Sequence, residues 1–237
     1  MAKPPKLARL LRELGDVPLL LAARFRGSAK IDRLAHGEPV MVIPGFLAND
    51  ASTSVLRHTL TAAGFAAHGW GRGSNLGLRG DLLIALVARL AFISQSAGGA
   101  KVIVVGWSLG GIYARELAHM APELVEMVVT LGSPFEGDLH ANHAWRLYNA
   151  INSHTVDNLP IPVAFTRKPP VRTIAIWSPL DGVVAPETSR GKPDQSDEQI
   201  ELVSTHMGFA ASKVAARSVA GLIAERLGKG ASAHSAN

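Results

Sequence analysis

The feature that most constrains the fold is an alternation between short aliphatic runs and longer helical stretches. Runs such as "PVMVIPG" (39–45), "KVIVVG" (101–106) and "VEMVVTLGSP" (125–134) are rich in β-branched residues and poor in charge. Strands of this kind are typical of a parallel sheet that is covered on both faces, because neither face then needs to be polar. The stretches between them have the length and periodicity of helices. The pattern therefore predicts an α/β domain in which helices connect parallel strands.

Residues 39–228 hold the predicted strands and crossover helices, and they form the predicted domain. Further strand candidates are "FAAHGW" (65–70), "VRTIAIWSP" (171–179) and the weaker "QIELVST" (199–205). Helices are predicted at 54–64, 78–98, 109–122 and 208–228. We expect about six mostly parallel strands with helices on both faces of the sheet. Residues 229–237 are small and polar, which predicts a disordered tail.

One segment interrupts this alternation. Residues 135–170 lie between the fourth and fifth strands without a clear crossover helix, and they contain three histidines and several prolines. An insertion of this length at the carboxyl ends of parallel strands usually covers a binding site. We therefore expect a small cap or lid above that edge of the sheet, where α/β proteins bind their ligands.

Residues 1–38 contain no strand candidate and predict one or two amphipathic helices. One face of the first helix would carry Leu7, Leu10, Leu11 and Leu14. We expect this segment to pack on the domain or flank it. Because Lys3, Lys6, Arg9 and Arg12 surround the leucines, peripheral contact with a membrane stays open as a second role. The apolar run that follows is too short to span a bilayer, so a cytoplasmic protein, at most peripheral to a membrane, is expected.

The overall composition excludes several classes of site. The chain has no cysteine, which rules out disulfides, thiolate metal sites and a cysteine nucleophile. Its formal net charge of +5 is spread along the chain without a basic block, so no nucleic-acid partner is expected. The glycine-rich stretch "GWGRGSNLG" (69–77) lacks the lysine and spacing of a phosphate loop, and it is interpreted as a flexible loop beside the site.

The stretch "VVGWSLGGIYA" (104–114) places a lone serine between a strand and a helix. Gly106, Ser108 and Gly110 fit the pattern G-x-S-x-G in the strand-turn-helix context that it requires. A serine at the apex of so sharp a turn needs neighbours without side chains, which the two glycines provide. The helix start also favours developing negative charge, because free N–H groups and the helix dipole meet there. Ser108 is therefore the candidate nucleophile.

A nucleophilic serine needs a base, and the base needs an acid that orients it. Asp181 in "SPLDGVV" follows the fifth strand, and His206 in "STHMGF" follows the sixth. The three side chains thus come in the order Ser, Asp, His, each at the end of a different strand. Asp194 and Asp197 also precede His206 and are alternative acids, but their surroundings, "RGKPDQSDEQ", favour a solvated loop.

The strand pattern and the motifs around Ser108, Asp181 and His206 resemble those of the α/β-hydrolase fold superfamily, and in particular of small bacterial lipases and esterases. The resemblance runs from about Pro39 to Leu227 and rests on "VIPGF", "GWSLGG", "LGSPF", "SPLDGVV" and "STHMGF". It implies Ser108 as nucleophile, His206 as general base and then acid, and Asp181 as the orienting partner of His206. Because 1–38 lacks the strand hairpin with which the full family begins, the sheet is expected to be reduced at its start.

The resemblance also implies an oxyanion hole made of two main-chain N–H groups. One belongs to Leu109, and the other comes from the loop after the first strand, at Phe46, with Leu47 as an alternative donor. The family often has His-Gly in that loop, where this chain has Pro44-Gly45. Apolar contacts to a substrate are expected from Leu47, Trp70, Trp107 and Val183, although Trp107 fits buried packing equally well.

The expected activity is hydrolysis of carboxylic esters with an apolar acyl chain, through a Ser-His-Asp triad and an acyl-enzyme. The substrate would be a small-molecule or lipid ester, and the chemistry needs neither metal nor organic cofactor. Asp138, His140 and His143 lack the spacing of a metal site, and no metal is expected. Thioesterase and acyltransferase activities on the same triad, and a non-catalytic binding protein with this fold, stay open. The oligomeric state is not determined by the sequence.

Overall fold

Every predicted aliphatic run forms a strand of one sheet. The structure is a computed structural model that describes residues 3–161 and 163–234. The strands are β1 (Pro39–Ile43), β2 (Ala66–Gly69), β3 (Val102–Trp107), β4 (Val125–Leu131), β5 (Arg172–Trp177) and β6 (Glu198–Glu201). They lie in the order β2-β1-β3-β4-β5-β6, and each neighbouring pair is parallel. The predicted six-stranded parallel sheet is confirmed.

Helices cover both faces of this sheet. They are α1 (Leu7–Glu13), α2 (Val17–Leu21), α3 (Ser54–Ala62), α4 (Leu82–Ser96), α5 (Leu109–Met120), α6 (Trp145–Ile151), α7 (Pro186–Arg190), α8 (Gly208–Ala211) and α9 (Lys213–His234). Because side chains alternate along a strand, Val40 and Val42 pack with α3 and α9, whereas Met41 and Ile43 pack with α4 and α5. Two apolar cores result, one on each face.

The N-terminal segment is helical, as predicted, and residues 3–38 contain no strand. It packs on the domain, but not through the face that the leucine pattern suggested. Leu7, Leu11 and Leu14 are 66%, 57% and 62% exposed, whereas Glu13 is only 2% exposed. A glutamate thus takes the inward position of α1, because backbone N–H groups of the domain hydrogen-bond its carboxylate.

The insertion 135–170 contains a helix, α6, that its sequence did not predict. The side chain of Asn142 accepts hydrogen bonds from the N–H groups of Ala144 and Trp145, and so caps the start of α6. Arg115 of α5 is buried and donates to the carbonyls of Phe165 and Arg167, which fastens the end of the insertion to the core. The insertion therefore lies over the carboxyl edge of the sheet as an ordered cap.

The closing helix differs from its predicted bounds, 208–228. Ser212 has an extended backbone, with φ −83° and ψ 126°, and divides the helix into α8 and α9. Its hydroxyl and carbonyl accept the N–H groups of Ala215 and Ala216, so that it caps the start of α9. The helix then continues to His234, past the predicted start of the tail at 229, and residues 235–237 lie outside the described residues.

Candidate active site

Ser108 occupies the sharp turn between β3 and α5. Its φ of 56° and ψ of −124° lie in a region that side chains other than glycine rarely adopt. A Cβ on Gly106 would overlap the backbone of Gly110 and Gly111, and one on Gly110 would overlap the carbonyl oxygen of Ile43. Both glycines of the motif are therefore required by close backbone packing, as the pattern predicted. The close packing thus holds Ser108 in a strained backbone conformation at the wall of a cavity.

The structure brings Ser108, His206 and Asp181 into one chain of hydrogen bonds. The Oγ of Ser108 lies 3.0 Å from Nε2 of His206, and Nδ1 of His206 lies 2.8 Å from Oδ2 of Asp181. The N–H groups of Val183 and Val184 donate to the other oxygen, Oδ1, of Asp181. Asp181 can thus accept a hydrogen bond from Nδ1–H, which leaves Nε2 free to accept the Ser108 hydroxyl proton.

The electrostatics around His206 favour its protonated form. Burial by itself lowers the pKa of an imidazole, but here the charge and hydrogen bond of Asp181, together with the charge of Glu13, outweigh burial. The pKa of His206 is therefore raised above its ordinary value of 6.5. A base of this kind takes up a proton readily when a neighbouring hydroxyl attacks a substrate.

The two alternative acids lie elsewhere. Asp197 comes just before β6, where it accepts the N–H of Thr173 and pairs with Lys168 at 2.9 Å. Asp194 is exposed in the short 3-10 turn Pro193–Gln195. His206 follows the opposite end of β6, so neither aspartate reaches it, whereas Asp181 does.

The loop after β1 presents a main-chain N–H beside Ser108. The N–H of Leu47 already donates to the carbonyl of Asn75 at 2.7 Å, which makes Leu47 an unsuitable oxyanion donor. Within the described part of the chain, the N–H groups of Phe46 and Leu109 donate to no acceptor. Phe46 and Leu109 line the same cavity as Ser108. Of the two alternatives, the geometry thus favours Phe46.

Asn75 is a positioning residue that the sequence did not reveal. Besides accepting from Leu47, it donates its backbone N–H to Ala48 and its side-chain amide to the carbonyl of Pro44. It is fully buried, so the glycine-rich loop 69–77 is tied to the loop after β1 at this point rather than free. The asparagine between Ser74 and Leu76 was the signal that could have indicated this contact, because the amide of a buried asparagine must be hydrogen-bonded to other groups.

An apolar cavity opens from Ser108 between the sheet and the cap. Side chains of the core contribute one wall, and the cap contributes another through Leu139, Trp145, Tyr148, Val156 and Leu159. Val183, an expected substrate contact, also lines the cavity. Apart from Ser108, its polar lining comes from a few side chains, namely Tyr113, Glu116, Asn142 and Tyr148. The cavity is suited to an apolar group attached to a carbon near Ser108.

Three of the expected substrate contacts do not line this cavity. Trp70 is buried in the core on the α4 side and donates its indole N–H to the carbonyl of Gly73. Leu47 is 47% exposed and is absent from the cavity lining. Trp107 is buried, and its indole N–H donates to the carbonyl of His206 at 3.0 Å. Which side chains line the cavity depends on packing, which a local pattern does not contain, and for Trp107 the structure agrees with the alternative of buried packing.

The cap histidines are held by protein groups rather than arranged around a metal. His140 lies between Asp138 and Asp157, at 2.8 and 3.2 Å, and Nε2 of His143 lies 2.9 Å from the carbonyl of Pro5. Among the described residues, no group of three or more histidine or acidic side chains is arranged to hold a metal ion. Likewise, no helix in the described ranges is both long and apolar enough to cross a bilayer.

Comparisons with known proteins agree with this architecture. Residues 68–172 match the family model described as alpha/beta hydrolase fold. Triacylglycerol lipases from Pseudarthrobacter phenanthrenivorans and Burkholderia plantarii are each 38% identical to the chain over 64 residues. That segment is 27% of this chain but only 19% and 17% of the two lipases, so the chain spans less than a fifth of these curated relatives.

Solved structures extend the likeness to most of the chain. A 2-hydroxy-6-oxo-6-phenylhexa-2,4-dienoate hydrolase from Rhodococcus sp. strain RHA1 has a TM-score of 0.57 at 15% identity, over 80% of this chain and 90% of its own. A thioesterase domain from the curacin biosynthetic pathway has a TM-score of 0.52 at 15% identity, over 80% of this chain and 92% of its own. Likeness at such identities concerns the fold alone.

Proposed function

We propose that this chain, which has the α/β-hydrolase fold, is a serine carboxylester hydrolase that acts on esters with an apolar acyl chain. The observation that carries the proposal is the hydrogen-bonded chain from Ser108 through His206 to Asp181, placed at the wall of an apolar cavity. The resemblance to lipases and esterases supports hydrolysis as the reaction class.

The first half of the reaction forms an acyl-enzyme. Oγ of Ser108 attacks the ester carbonyl carbon while its proton passes to Nε2 of His206, and Asp181 stabilises the imidazolium. The carbonyl oxygen becomes an oxyanion, which accepts hydrogen bonds from the N–H groups of Phe46 and Leu109. When the carbon–oxygen bond to the alcohol breaks, the leaving oxygen takes the proton from His206.

The second half returns the enzyme to its resting state. A water molecule gives a proton to Nε2 of His206 and attacks the acyl carbon, which forms a second oxyanion at the same N–H pair. The bond to Oγ of Ser108 then breaks, Oγ recovers the proton, and a carboxylic acid leaves. No step uses a metal or an organic cofactor.

The alternative activities on the same triad differ in the leaving group of the first half-reaction and in the nucleophile of the second. A thioesterase would release a thiol in the first half, and an acyltransferase would use an alcohol in place of water in the second. The likeness to a thioesterase domain makes the former worth a direct comparison. Rates on matched oxygen esters, thioesters and amides, together with a chain-length series of p-nitrophenyl esters, would rank these substrates.

The decisive test is Ser108→Ala, measured on p-nitrophenyl acyl esters. We expect kcat to fall by at least roughly 10³-fold, because the nucleophile is lost. The exposed Ser96 on α4 offers a matched control, and Ser96→Ala should keep the wild-type rate. A fluorophosphonate should label the wild type and not the Ser108 variant. Full activity in the variant would contradict Ser108 as the nucleophile, whereas a folded wild type that neither turns over nor reacts would favour a non-catalytic binding protein.

We also propose that α1 touches the surface of an anionic phospholipid bilayer. The exposed Leu7, Leu11 and Leu14 recur at helical spacing on one side of α1. The exposed charge around them is positive, from Lys3, Lys6, Arg9 and Arg12. The two acids nearest these cations turn inward instead, since Glu13 is buried and Asp16 is hydrogen-bonded to Thr205. Such a helix suits an anionic surface, and its cations disfavour pairing with a second copy of itself.

A further inference from the structure

Glu13 is a buried carboxylate on a helix whose other side chains are largely exposed. It belongs to none of the motifs that mark the catalytic site in the sequence. We propose that Glu13 is a positioning residue that holds the loops of Asp181 and His206 in register and places a second carboxylate charge beside His206. The proposal rests on the hydrolytic role of Ser108, Asp181 and His206.

Three main-chain N–H groups converge on the Glu13 carboxylate. Oε1 accepts the N–H of Gly182 at 2.9 Å and that of His206 at 2.7 Å, and Oε2 accepts the N–H of Met207 at 2.9 Å. Gly182 directly follows Asp181, so a single side chain bonds to the backbone of both loops. Hydrogen bonds to a carboxylate are among the stronger ones, and three of them fix its position.

The approach of α1 to these loops depends on a residue without a side chain. A Cβ on Gly182 would overlap the carbonyl of Arg9 and crowd the side chain of Glu13. A second acid supports the same attachment, because Thr205 donates its hydroxyl to Asp16 and accepts the N–H of Gly208. The N-terminal segment therefore lies directly against the loop that carries His206.

The main chain of His206 is held on both sides. Its N–H donates to Glu13, and its carbonyl accepts the indole N–H of Trp107. Because these two main-chain groups are fixed, the remaining hydrogen bonds of His206 are those of its ring to Asp181 and Ser108. Removing the Glu13 carboxylate would free the His206 peptide on one side and leave the N–H groups of Gly182, His206 and Met207 without their acceptor, which is unfavourable for buried groups.

The charge of Glu13 also acts on the imidazole. The charged and titratable groups that face His206 are Asp181 from the loop after β5 and Glu13 from α1, while Asp16 reaches only the adjacent Thr205. Both carboxylates favour the imidazolium, and both raise the pKa of His206 against the effect of burial. Loss of the charge at Glu13 should therefore lower the pKa of His206.

The test compares Glu13→Gln, which removes the charge but keeps the size, with Glu13→Ala, which removes both. Glu126→Gln is the matched control, because Glu126 is exposed on β4, away from the catalytic loops. The readouts are kcat and KM against pH on a soluble p-nitrophenyl ester, and the thermal unfolding midpoint. The titration of the His206 ring by NMR, assigned from the spectrum of His206→Gln, adds a readout that needs no turnover.

We expect Glu13→Ala to lower kcat by roughly 10- to 100-fold with KM within about two-fold, because the base is misplaced rather than the substrate. Glu13→Gln should shift the acid limb of kcat/KM and the NMR midpoint of His206 to lower pH, and Glu126→Gln should shift neither. Should Glu13→Ala fail to fold, the Gln variant decides the proposal on its own.

A folded Glu13→Gln variant with unchanged kcat, pH profile and His206 midpoint would overturn the proposal, since a merely structural carboxylate would alter only the unfolding midpoint. Failure of the hydrolase assignment looks different. In that case the wild type would hydrolyse no ester, while the NMR midpoint of His206 would still respond to Glu13→Gln.

Discussion

Single residues around His206 decide whether the side chains proposed to form the triad meet. Trp107 illustrates this, because the G-x-S-x-G pattern leaves its position open to many side chains. Its indole N–H bonds to the carbonyl of His206, and its ring lies 5.7 Å from the imidazole, centroid to centroid. Trp107 thus holds the backbone of His206 and packs near its ring, and it does not line the cavity.

Replacing Trp107 with Phe tests this assignment. The change keeps an aromatic ring and removes one hydrogen bond, so the free energy of unfolding should fall by about 1 kcal/mol and kcat should fall by several-fold. The preferred acyl length in a p-nitrophenyl ester series should stay the same. Trp145→Phe provides the contrast, since Trp145 lines the cavity and its substitution should change acyl preference. A changed preference in the Trp107 variant would instead place that ring in the acyl pocket.

At the scale of secondary-structure elements, α1 has two opposite sides with different tasks. Its inner side carries Glu13, and its outer side carries the exposed leucines. Deleting the segment would therefore disturb His206 and any lipid contact together. Point substitutions on the outer side can test the lipid contact without disturbing His206.

The variant in which Leu7, Leu11 and Leu14 are all changed to Ser tests lipid contact. We expect at least roughly 10-fold weaker binding to vesicles rich in phosphatidylserine, because apolar area buried in the interface is lost. Hydrolysis of a soluble p-nitrophenyl ester should be unchanged, since these side chains point away from the site. The control changes Val203 and Val214, each 66% exposed, to Ser. Equal vesicle binding by wild type and variant, or binding indifferent to lipid charge, would contradict an anionic surface as the partner.

At the scale of the whole molecule, the proton on His206 is linked to stability. The folded chain raises the pKa of His206 above the value of 6.5 that an unfolded chain has. Its protonated form therefore stabilises the fold below about pH 6.5, and this contribution is lost as pH rises through the raised pKa.

This linkage is measurable as a difference between two proteins. The free energy of unfolding of the wild type minus that of His206→Gln should decrease as pH rises from about 6.5 through the raised pKa. Taking the difference cancels the titration of the other groups. A difference that increases with pH across this window would mean that burial dominates and that the pKa of His206 is lowered.

The elements that the sequence predicted best are those that depend on local pattern. The strands β1, β3 and β4 are apolar runs with β-branched residues, and their parallel arrangement follows from the helices between them. The turn at Ser108 was predictable because glycines flank it, and overlap of a Cβ is a local steric fact. The helix α6 was missed, since its start depends on a cap from Asn142 within a segment without clear periodicity.

The sequence by itself determined the strands of the sheet, the sharp turn at Ser108 and the order of Ser108, Asp181 and His206 along the chain, because each depends on local pattern or chain order. Only the tertiary structure decided which leucines stay exposed and that cap residues, rather than Trp70 and Trp107, line the cavity. It also decided that the Glu13 carboxylate reaches the backbone of His206. The last contact joins residues 193 positions apart. A hydrogen bond over such a separation depends on how two elements pack in space, and no local periodicity encodes that.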